Sequence, residues 1–516
     1  MINRIFYNRV PQKLDLWLLL FLNITLTFTG GIPSTIFGYV VGAQSAVSAD
    51  LTMASFAYFT GMAMVFPIVL RLKQFTHTKN ILGFSFLFLI FLNFVLSQSN
   101  QPLVMVMASF GVGCVKMVAN LEILLTLIPI LMPKGERYQL YCVYYPLSMV
   151  FGPLSGLIAS HFADGLNWEY SFHEQNLFLM LGLLVILLLV HPKMHTKKVP
   201  FFQYDWLGTI CLTASMLLLC YVCSYGLMLD WFASLKIQAA AVGGLVLFML
   251  FLQRNMRVKR PIVKFDGFNS WKVMAGITLL VFLCMFFNTT SLTNPFLTII
   301  LKNNPLESAR VNTYGIPGYL AGTLLCFIYY KKFMRFSTMA AAACLCYLIA
   351  NISMYHITST FTGPADLFWP MFFRAMATIM TYISIGIYIT SNIPISAFND
   401  VTMVSVALRS LFIPLTASTL YTNWYYRGQV KYLNLLANKM DGMNPLVSQK
   451  GAQIFSSVKT QASLLALRDI YGALIIAGIV LLVIIIVFPF HGTQKRIVFN
   501  WRDPLHSKEV AQSIAV

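Results

Sequence analysis

The chain has 516 residues, of which 58% are hydrophobic and only 10% are charged, and its mean hydropathy is +0.73. A soluble protein of this length would lack the polar residues needed to cover its surface, so the composition excludes that class and predicts an all-α membrane protein. The formal charge of +19 does not indicate nucleic acid as a partner, because the Lys and Arg residues are concentrated in alternate connections between apolar segments.

Apolar stretches of about 20 residues, which are long enough to cross the hydrocarbon core as a helix, occur about fourteen times along the chain. The predicted spans cover residues 16–41, 51–70, 80–97, 103–132, 138–161, 174–191, 205–228, 236–253, 272–301, 311–330, 337–357, 367–391, 401–422 and 470–490. An even number of spans places both termini on the same side of the membrane.

The distribution of Lys and Arg sets the orientation of these spans. With both termini in the cytoplasm, the short external connections carry only Lys236, Lys302 and Arg310. Positively charged connections stay on the cytoplasmic side. We therefore expect a protein that is integral to the cell membrane, with the lipid bilayer and its headgroups as the partner of the basic residues.

The fourth span contains two ionisable residues, Lys116 and Glu122, which are costly to place at membrane depth and therefore mark candidate functional sites. Glu122 is the only carboxylate that the predicted spans place well inside the hydrocarbon. We therefore predict that it binds and releases a proton that couples to the function of the protein. An ion pair with a buried cation, in a purely structural role, is the alternative. For Lys116 the sequence favours packing or an ion pair over contact with a substrate.

The fifth span carries a stripe of small residues that lets two helix backbones approach closely. The stripe comprises Ser148, Gly152, Gly156 and Ser160, with Pro153 among them. The run Gly152-Pro153-Leu154-Ser155-Gly156, followed by Asn167-Trp168-Glu169-Tyr170, resembles the antiporter motif of the major facilitator superfamily. In that family the helix lies at the interface between two six-helix bundles. An ordinary packing seam is the alternative.

Further short signatures along the chain resemble the fourteen-helix drug:proton antiporter branch of that superfamily, the EmrB/QacA-like proteins. They are Asp205-Trp206-Leu207-Gly208, Asp230-Trp231-Phe232, Arg260-Pro261-Ile262-Val263, Arg409-Ser410-Leu411-Phe412 and Gln461-Ala462-Ser463-Leu464-Leu465 with Arg468-Asp469. The resemblance implies a major facilitator fold with two six-helix bundles and an inserted helix pair. The implied parts are an N-terminal bundle (1–191), the inserted pair (192–260), a C-terminal bundle (261–491) with an external loop (423–469), and a cytoplasmic tail (492–516).

The same resemblance implies a transporter that exports hydrophobic or amphipathic small molecules in exchange for protons, by alternating access and without a cofactor. The length of the external loop also resembles that of exporters that meet a periplasmic adaptor and an outer-membrane channel. Two departures leave a facilitator that couples to no ion as an alternative. The segment Phe66–Phe75 lacks the family's acidic residue and glycines, and Met107 stands where the family has an arginine.

The first and ninth spans are both interrupted. The first breaks at Gly30-Gly31-Ile32-Pro33, and the ninth breaks at the polar segment Asn288–Pro295. With the inserted pair set aside, the ninth span is the first helix of the second bundle, and interrupted helices at corresponding positions often form a transporter's binding site. The predicted cavity residues are Asn23, Thr27, Pro33, Asn288, Thr289 and Asn294. Two kinks that are satisfied internally by Ser and Thr side chains are the alternative.

Two more buried charges are predicted in the second bundle, Arg374 in the twelfth span and Arg409 in the thirteenth, where a helix-interface role is the expectation. The eight histidines are scattered, and the nine cysteines lack paired spacing across loops, so we predict neither catalytic residues nor a metal. The alternative from another class is a membrane-embedded lipid-linked transferase. It would need acids or histidines grouped near one membrane face.

Overall fold

The structure is a computed structural model that describes residues 5–44, 47–132, 136–192, 204–258, 261–297, 302, 304–333, 335–359, 362–391, 393, 398–438 and 451–487. The predicted cytoplasmic tail, Arg260 and the middle of the predicted external loop lie outside the described residues. Within these ranges the chain is helical, which confirms the all-α class.

Eighteen α-helices form the described part of the chain. The first nine are α1 (Gln12–Thr27), α2 (Phe37–Gln44), α3 (Ser48–Phe75), α4 (Thr78–Gln98), α5 (Pro102–Leu131), α6 (Arg137–Gly165), α7 (Tyr170–Leu189), α8 (Trp206–Tyr225) and α9 (Leu235–Arg257). The others are α10 (Trp271–Phe287), α11 (Thr290–Pro295), α12 (Pro305–Thr313), α13 (Ile316–Lys332), α14 (Phe336–Ile357), α15 (Phe368–Ser391), α16 (Phe398–Ala407), α17 (Ile413–Ala437) and α18 (Gly451–Val487). A π-helical turn, Leu408–Phe412, joins α16 to α17.

Among the described residues, twelve helical segments are long and apolar enough to cross a membrane. They correspond to twelve of the fourteen predicted spans. The first predicted span is instead divided into α1 and α2, which have 16 and 8 residues, and the tenth is the 17-residue helix α13. Large apolar side chains are exposed on these helices, for example Phe91, Leu188 and Val487, as expected for surfaces that contact lipid.

The helices form two compact units. The first unit contains α1 to α9, α10 up to Leu279, the end of α15 from Ile385, and α16 with the π-helical turn. Its core contains Leu22, Ile36, Leu51, Phe86, Val112 and Phe172. The second unit contains the rest of α10 and α15, together with α11 to α14, α17 and α18. Its core contains Leu292, Met371, Ala417, Tyr421 and Tyr471.

In the first unit, α3 and α5 approach so closely that the crossing requires glycine. A Cβ atom on Gly113 of α5 would lie 2.0 Å from the carbonyl oxygen of Tyr58, and one on Gly61 of α3 would lie 2.3 Å from that of Phe110. Small residues permit such contact between membrane helices. The crossing places Tyr58 beside Lys116, which follows Gly113 by three residues.

The predicted inserted pair consists of α8 and α9, which pack against each other, and α8 also packs against α3. Asp205 caps the start of α8 and forms an ion pair with Arg254 near the end of α9, with 2.7 Å between Oδ1 and Nε. Asn255, the next residue, donates to the carbonyl of Val263 at 2.9 Å. The first family-like signature therefore joins the two helices of the inserted pair, and the signature that contains Val263 is bonded to the end of α9.

The described parts of the predicted external loop 423–469 are helical. α17 and α18 extend into it from both ends and pack side by side, with Gln429 donating to the hydroxyl of Ser463 at 2.7 Å and Tyr432 donating to Asp469. Polar and apolar residues alternate there at helical spacing, so each helix can bury one face against the other. α18 has 37 residues. At 1.5 Å per residue it is about 55 Å long, compared with about 30 Å of hydrocarbon.

Candidate functional site

The chain between α1 and α2, residues 28–33, is called the first break, and it interrupts the first membrane helix where the sequence predicts. Gly31 has a φ of +70°, which glycine adopts without steric cost. The ring of Tyr58 lies 3.5 Å from the position that a Cβ atom would take on this glycine. Pro33 then precedes the short 3-10 turn before α2. The glycine and the proline therefore fix the point at which one helix ends and the next begins.

Neighbouring helices satisfy two carbonyl groups that the first break leaves unpaired. Lys116 of α5 donates from Nζ to the carbonyl of Thr29, and Ser155 of α6 donates to the carbonyl of Phe28 at 3.2 Å. Unpaired backbone groups are costly at membrane depth. The partners of these two carbonyls come from α5 and α6. The alternative in which Ser and Thr side chains of the same helix satisfy the kink therefore does not apply to them. The break is thus bonded to the two helices around it.

Lys116 is buried and has no carboxylate partner among the residues that the structure describes. Besides the Thr29 carbonyl, its ammonium nitrogen faces the ring of Tyr58, 5.6 Å from the ring centroid. An aromatic face attracts a cation. Lys116 therefore brings a positive charge to the first break. The neighbours of that charge are a carbonyl group and an aromatic ring, and not a carboxylate.

Side-chain amides extend the polar surroundings of the first break. Asn23 of α1 donates to Oδ1 of Asn120 at 3.5 Å, and the hydroxyl of Tyr144 on α6 donates to the same oxygen at 3.0 Å. Thr27, another predicted cavity residue, donates within its own helix to the carbonyl of Asn23 at 2.9 Å. Asn23 is therefore bonded to α5 and, through Asn120, linked to α6. The Thr27 hydroxyl is bonded within α1.

The second break comprises Asn288 and Thr289, between α10 and α11 in the second unit. The hydroxyl of Tyr421 on α17 donates to the carbonyl of Met285, at the end of α10, at 3.0 Å. Thr289 is buried, and Asn288 and Asn294 are half-buried. The second break is therefore also held by a side chain from a neighbouring helix.

Arg374 of α15 is the cation of the second break. Its Nη1 donates to Oγ1 of Thr293 at 3.2 Å, and the Thr293 hydroxyl donates to the carbonyl of Thr289 at 3.2 Å. Within the described part of the chain, no carboxylate lies at ion-pair distance from Arg374.

The two breaks are built alike, each within its own unit. In each, a cation bonds to the interrupted helix from the fourth predicted span of the same bundle. The cation is Lys116 of α5 at the first break and Arg374 of α15 at the second. A tyrosine also contacts each break: the Tyr58 ring faces Lys116, and the Tyr421 hydroxyl donates to the carbonyl of Met285. The sequence marks each cation as buried, but the partners that make the arrangements similar follow only from the fold.

Arg409, the third predicted buried cation, lies in the π-helical turn of the first unit. Its guanidinium carbon lies 4.7 Å from the centroid of the Tyr145 ring on α6, and that ring stacks on Tyr141 at 5.3 Å between centroids. Turns of this kind occur frequently at functional sites. The contact places Arg409 against the same helix that carries the stripe of small residues.

The stripe of small residues on α6 contacts the 3-10 turn before α2 at Gly156. Thr35 donates to the carbonyl of Gly156 at 3.1 Å, and a Cβ atom on Gly156 would lie 3.3 Å from the Thr35 methyl group. Among the described residues, nothing beyond the adjacent backbone of α6 lies within 4 Å of the corresponding position at Gly152. Ser148 is exposed and Pro153 is half-buried.

Glu122 is fully buried at the contact of α3, α4 and α5. Its Oε1 accepts from the hydroxyl of Thr78 at 2.7 Å and lies 3.5 Å from Nζ of Lys73. Met107, the position of the family's arginine, is 63% exposed, so Glu122 does not share its surroundings. The ion pair with Lys73 agrees with the alternative given for Glu122 from the sequence, a purely structural ion pair with a cation. The cation belongs to the end of α3.

A second buried carboxylate, Glu174, lies inside α7. The predicted sixth span begins at this residue and so places it at the membrane boundary, whereas the helix begins at Tyr170. Glu174 is only 7% exposed, and neither carboxylate oxygen has a hydrogen-bond partner among the described residues. The polar run Glu174-Gln175-Asn176 at the start of an apolar helix is the sequence signal that points to it.

No protein-family model and no curated protein matches this chain. Solved structures do match it. The peptide transporter POT in complex with sulfate is 13% identical with a TM-score of 0.57, over 91% of this chain and 94% of that one. A POT family transporter in complex with 5-aminolevulinic acid is 15% identical with a TM-score of 0.58, over 94% and 98%. A mutant of the nucleoside transporter NupG is 10% identical with a TM-score of 0.53, over 90% and 98%.

These similarities extend over nearly the whole of each chain, and the similar proteins are transporters of the major facilitator type. This chain has the major facilitator fold. The fold class expected from the sequence is therefore confirmed. The similar structures are peptide and nucleoside transporters, so they support the major facilitator fold without indicating its drug:proton antiporter branch.

Proposed function

We propose that this chain is a membrane transporter that moves small amphipathic organic molecules by alternating access and exports them in exchange for protons. A fold alone does not establish a function, so the argument depends on the site. The observation that carries the proposal is the presence of two interrupted helices, each bonded to a cation, Lys116 or Arg374. Interrupted helices at corresponding positions are typical of transporter binding sites.

The chemistry of the breaks favours a cargo with an anionic group and an apolar body. Lys116 and Arg374 can each donate charge-assisted hydrogen bonds to an anionic oxygen. Tyr58 at the first break and Tyr421 at the second offer apolar surface together with hydroxyl groups. Two of the similar structures were solved with sulfate and with 5-aminolevulinic acid, which agrees with a cargo of this polarity.

Exchange for protons is supported by two features of the first unit. The sequence of α6 resembles the antiporter motif, and its Gly156 lies against Thr35 beside the first break. The same unit holds two carboxylates, Glu122 and Glu174, that are buried in membrane helices. An ionisable residue at this depth is a functional site by default.

A facilitator that couples to no ion is the second candidate. The ion pair between Glu122 and Lys73 favours it, because the pair gives the predicted coupling carboxylate a structural role. Cargo would then move only down its own gradient.

The proposal includes the inner membrane of a bacterium as location, with both termini in the cytoplasm and the hairpin of α17 and α18 outside. A periplasmic adaptor and an outer-membrane channel are proposed as partners of this hairpin. The support is its length beyond the hydrocarbon and its helical form, which offers a rigid surface. A C-terminal tag that proteases reach from outside intact cells would contradict this orientation.

Counterflow in liposomes tests the transport function. Purified protein is reconstituted with excess unlabelled compound inside, and uptake of labelled compound is followed for an aromatic sulfonate, a lipophilic cation, a dipeptide and a nucleoside. We expect protein-dependent counterflow of the sulfonate, reduced in Lys116→Met and Arg374→Met and retained in Glu307→Gln, a surface variant. Absence of counterflow for every compound would contradict the proposal.

A further inference from the structure

We propose that Glu174 is the carboxylate that binds and releases the exchanged proton. This inference rests on the proposed proton exchange and deepens it by naming the group. Glu174 lies in the second turn of α7 with both oxygens buried and without a hydrogen-bond partner among the described residues. Buried polar groups are usually paired, so an unpaired carboxyl group in a membrane helix needs a functional explanation.

Two of the helices that pack against α7 bring no charge to the level of Glu174. α4 runs antiparallel to α7, and its one charged residue, Lys79, donates to the carbonyl of Leu187 at 2.7 Å, near the far end of α7. α1 is also antiparallel, because Phe28 after its end stacks on Phe178. Its charged residues, Lys13 and Asp15, therefore lie toward that far end.

The titratable groups of the third helix, α6, and of the start of α7 itself have other contacts, are exposed or lie at a distant end. On α6, His161 and Asp164 are exposed, and Asp164 accepts from the hydroxyl of Tyr39 at 2.8 Å. Arg137 lies at the opposite end of that helix. His173 is exposed, and its ring contacts Tyr170 at 5.8 Å between centroids. Glu169, before the helix, is half-exposed.

These surroundings accept the neutral acid and disfavour the anion. An ionised carboxylate is costly away from water unless a cation or hydrogen-bond donors stabilise it, and here the structure supplies neither. A proton bound in this conformation is released when water reaches the carboxyl group. Gln175 is fully buried with an unpartnered amide, so water entering this part of the unit would find a further polar partner.

The position of Glu174 connects it to the first break. One turn further along α7, Phe178 stacks on Phe28 of the break, with 4.0 Å between ring centroids. One turn back, Ser171 donates to the carbonyl of Ala159 on α6 at 2.7 Å. A movement of α1 or α6 would therefore change how Glu174 is covered. Glu122 lacks this position, because its carboxylate contacts Lys73 and Thr78.

Protonation of Glu174 is measured first, without transport. Infrared difference spectra of the purified protein between acidic and alkaline buffer report the C=O band of a protonated carboxyl group. We expect a band that is lost in Glu174→Gln and retained in Glu122→Gln and Glu307→Gln. A spectrum unchanged by Glu174→Gln would overturn the inference and leave the transport proposal standing.

Coupling is measured next in liposomes, with the aromatic sulfonate as probe. We expect Glu174→Gln to lose the accumulation driven by a proton gradient and to keep counterflow, whereas Glu307→Gln keeps both. Gradient-driven accumulation by Glu174→Gln would overturn the inference. If that variant does not fold, wild-type protein is treated with a hydrophobic carbodiimide, which reacts with protonated carboxyl groups. Mass spectrometry must then find the adduct on Glu174, and its absence would overturn the inference.

Discussion

The ammonium group of Lys116 donates to the carbonyl of Thr29 inside the interruption of the first membrane helix. This hydrogen bond joins α5 to the first break across 87 positions of sequence. An anionic cargo that binds the ammonium group would compete with the carbonyl for its protons. Binding of cargo and movement of the interrupted helix are thereby linked at one side chain.

Lys116→Met should weaken binding of an aromatic sulfonate by about tenfold or more, because a hydrogen bond to a charged group contributes about 1.5–3 kcal/mol. Binding of the corresponding uncharged sulfonamide should change much less. Calorimetric titration of the purified variant with both compounds makes the comparison. Equal weakening for the two compounds would indicate that Lys116 acts only through the structure of the break.

Gly156→Leu should abolish counterflow with a modest loss of folded protein. The added side chain would press on Thr35, which already lies 3.3 Å from a Cβ position, and would displace the chain beside the first break. Gly152→Leu is the matched control, because nothing else in the described structure lies within 4 Å of its Cβ position. Counterflow and size-exclusion profiles are compared. Equal effects of the two variants would contradict a special role for Gly156.

Asp205→Asn should lower the free energy of unfolding by about 1–3 kcal/mol, because it leaves Arg254 without its partner. The Asp205 side chain is 2% exposed, so water cannot compensate at position 205, whereas Arg254 is 40% exposed and can be solvated. The control is Glu307→Gln, whose pair with Arg310 is exposed and should contribute at most about 1 kcal/mol. Thermal unfolding in detergent measures both variants. An equal change in unfolding temperature would argue against a role of Asp205 in holding α8 and α9 together.

Glu122→Gln should also destabilise the protein, by about 1–3 kcal/mol, since it leaves Lys73 without its carboxylate partner. Accumulation driven by a proton gradient should persist in the protein that folds. Thermal unfolding and gradient-driven uptake are measured on the same preparation. Loss of gradient-driven uptake at unchanged stability would support the coupling role that the sequence predicts for Glu122.

The length and apolarity of the spans made much of the fold predictable. Both interruptions were visible because Gly31, Pro33 and the polar run after Asn288 are unusual within apolar helices. The pairing of the two helices in the predicted external loop was not predictable in the same way. In the fold, Gln429 and Ser463 lie on helices that pack against each other, and this pairing depends on residues that are distant in sequence.

The candidate site was less predictable than the fold. Burial of Lys116 and Glu122 followed from their depth in one span, but their partners, Thr29 and Lys73, belong to other helices. Glu174 was missed because the predicted span began four residues after the helix does. A shift of one helical turn decides whether a carboxylate lies at a membrane boundary or inside a bundle.

Exchange of cargo for protons is tested most directly with wild-type protein in liposomes that contain a pH-sensitive dye. A proton gradient is imposed, and the aromatic sulfonate is added, because it stays ionised and carries no proton through the lipid. We predict that the sulfonate dissipates the gradient only when the protein is present, and that labelled sulfonate moves opposite to the protons. Movement of the sulfonate that leaves lumenal pH unchanged, or no movement at all, would contradict the account.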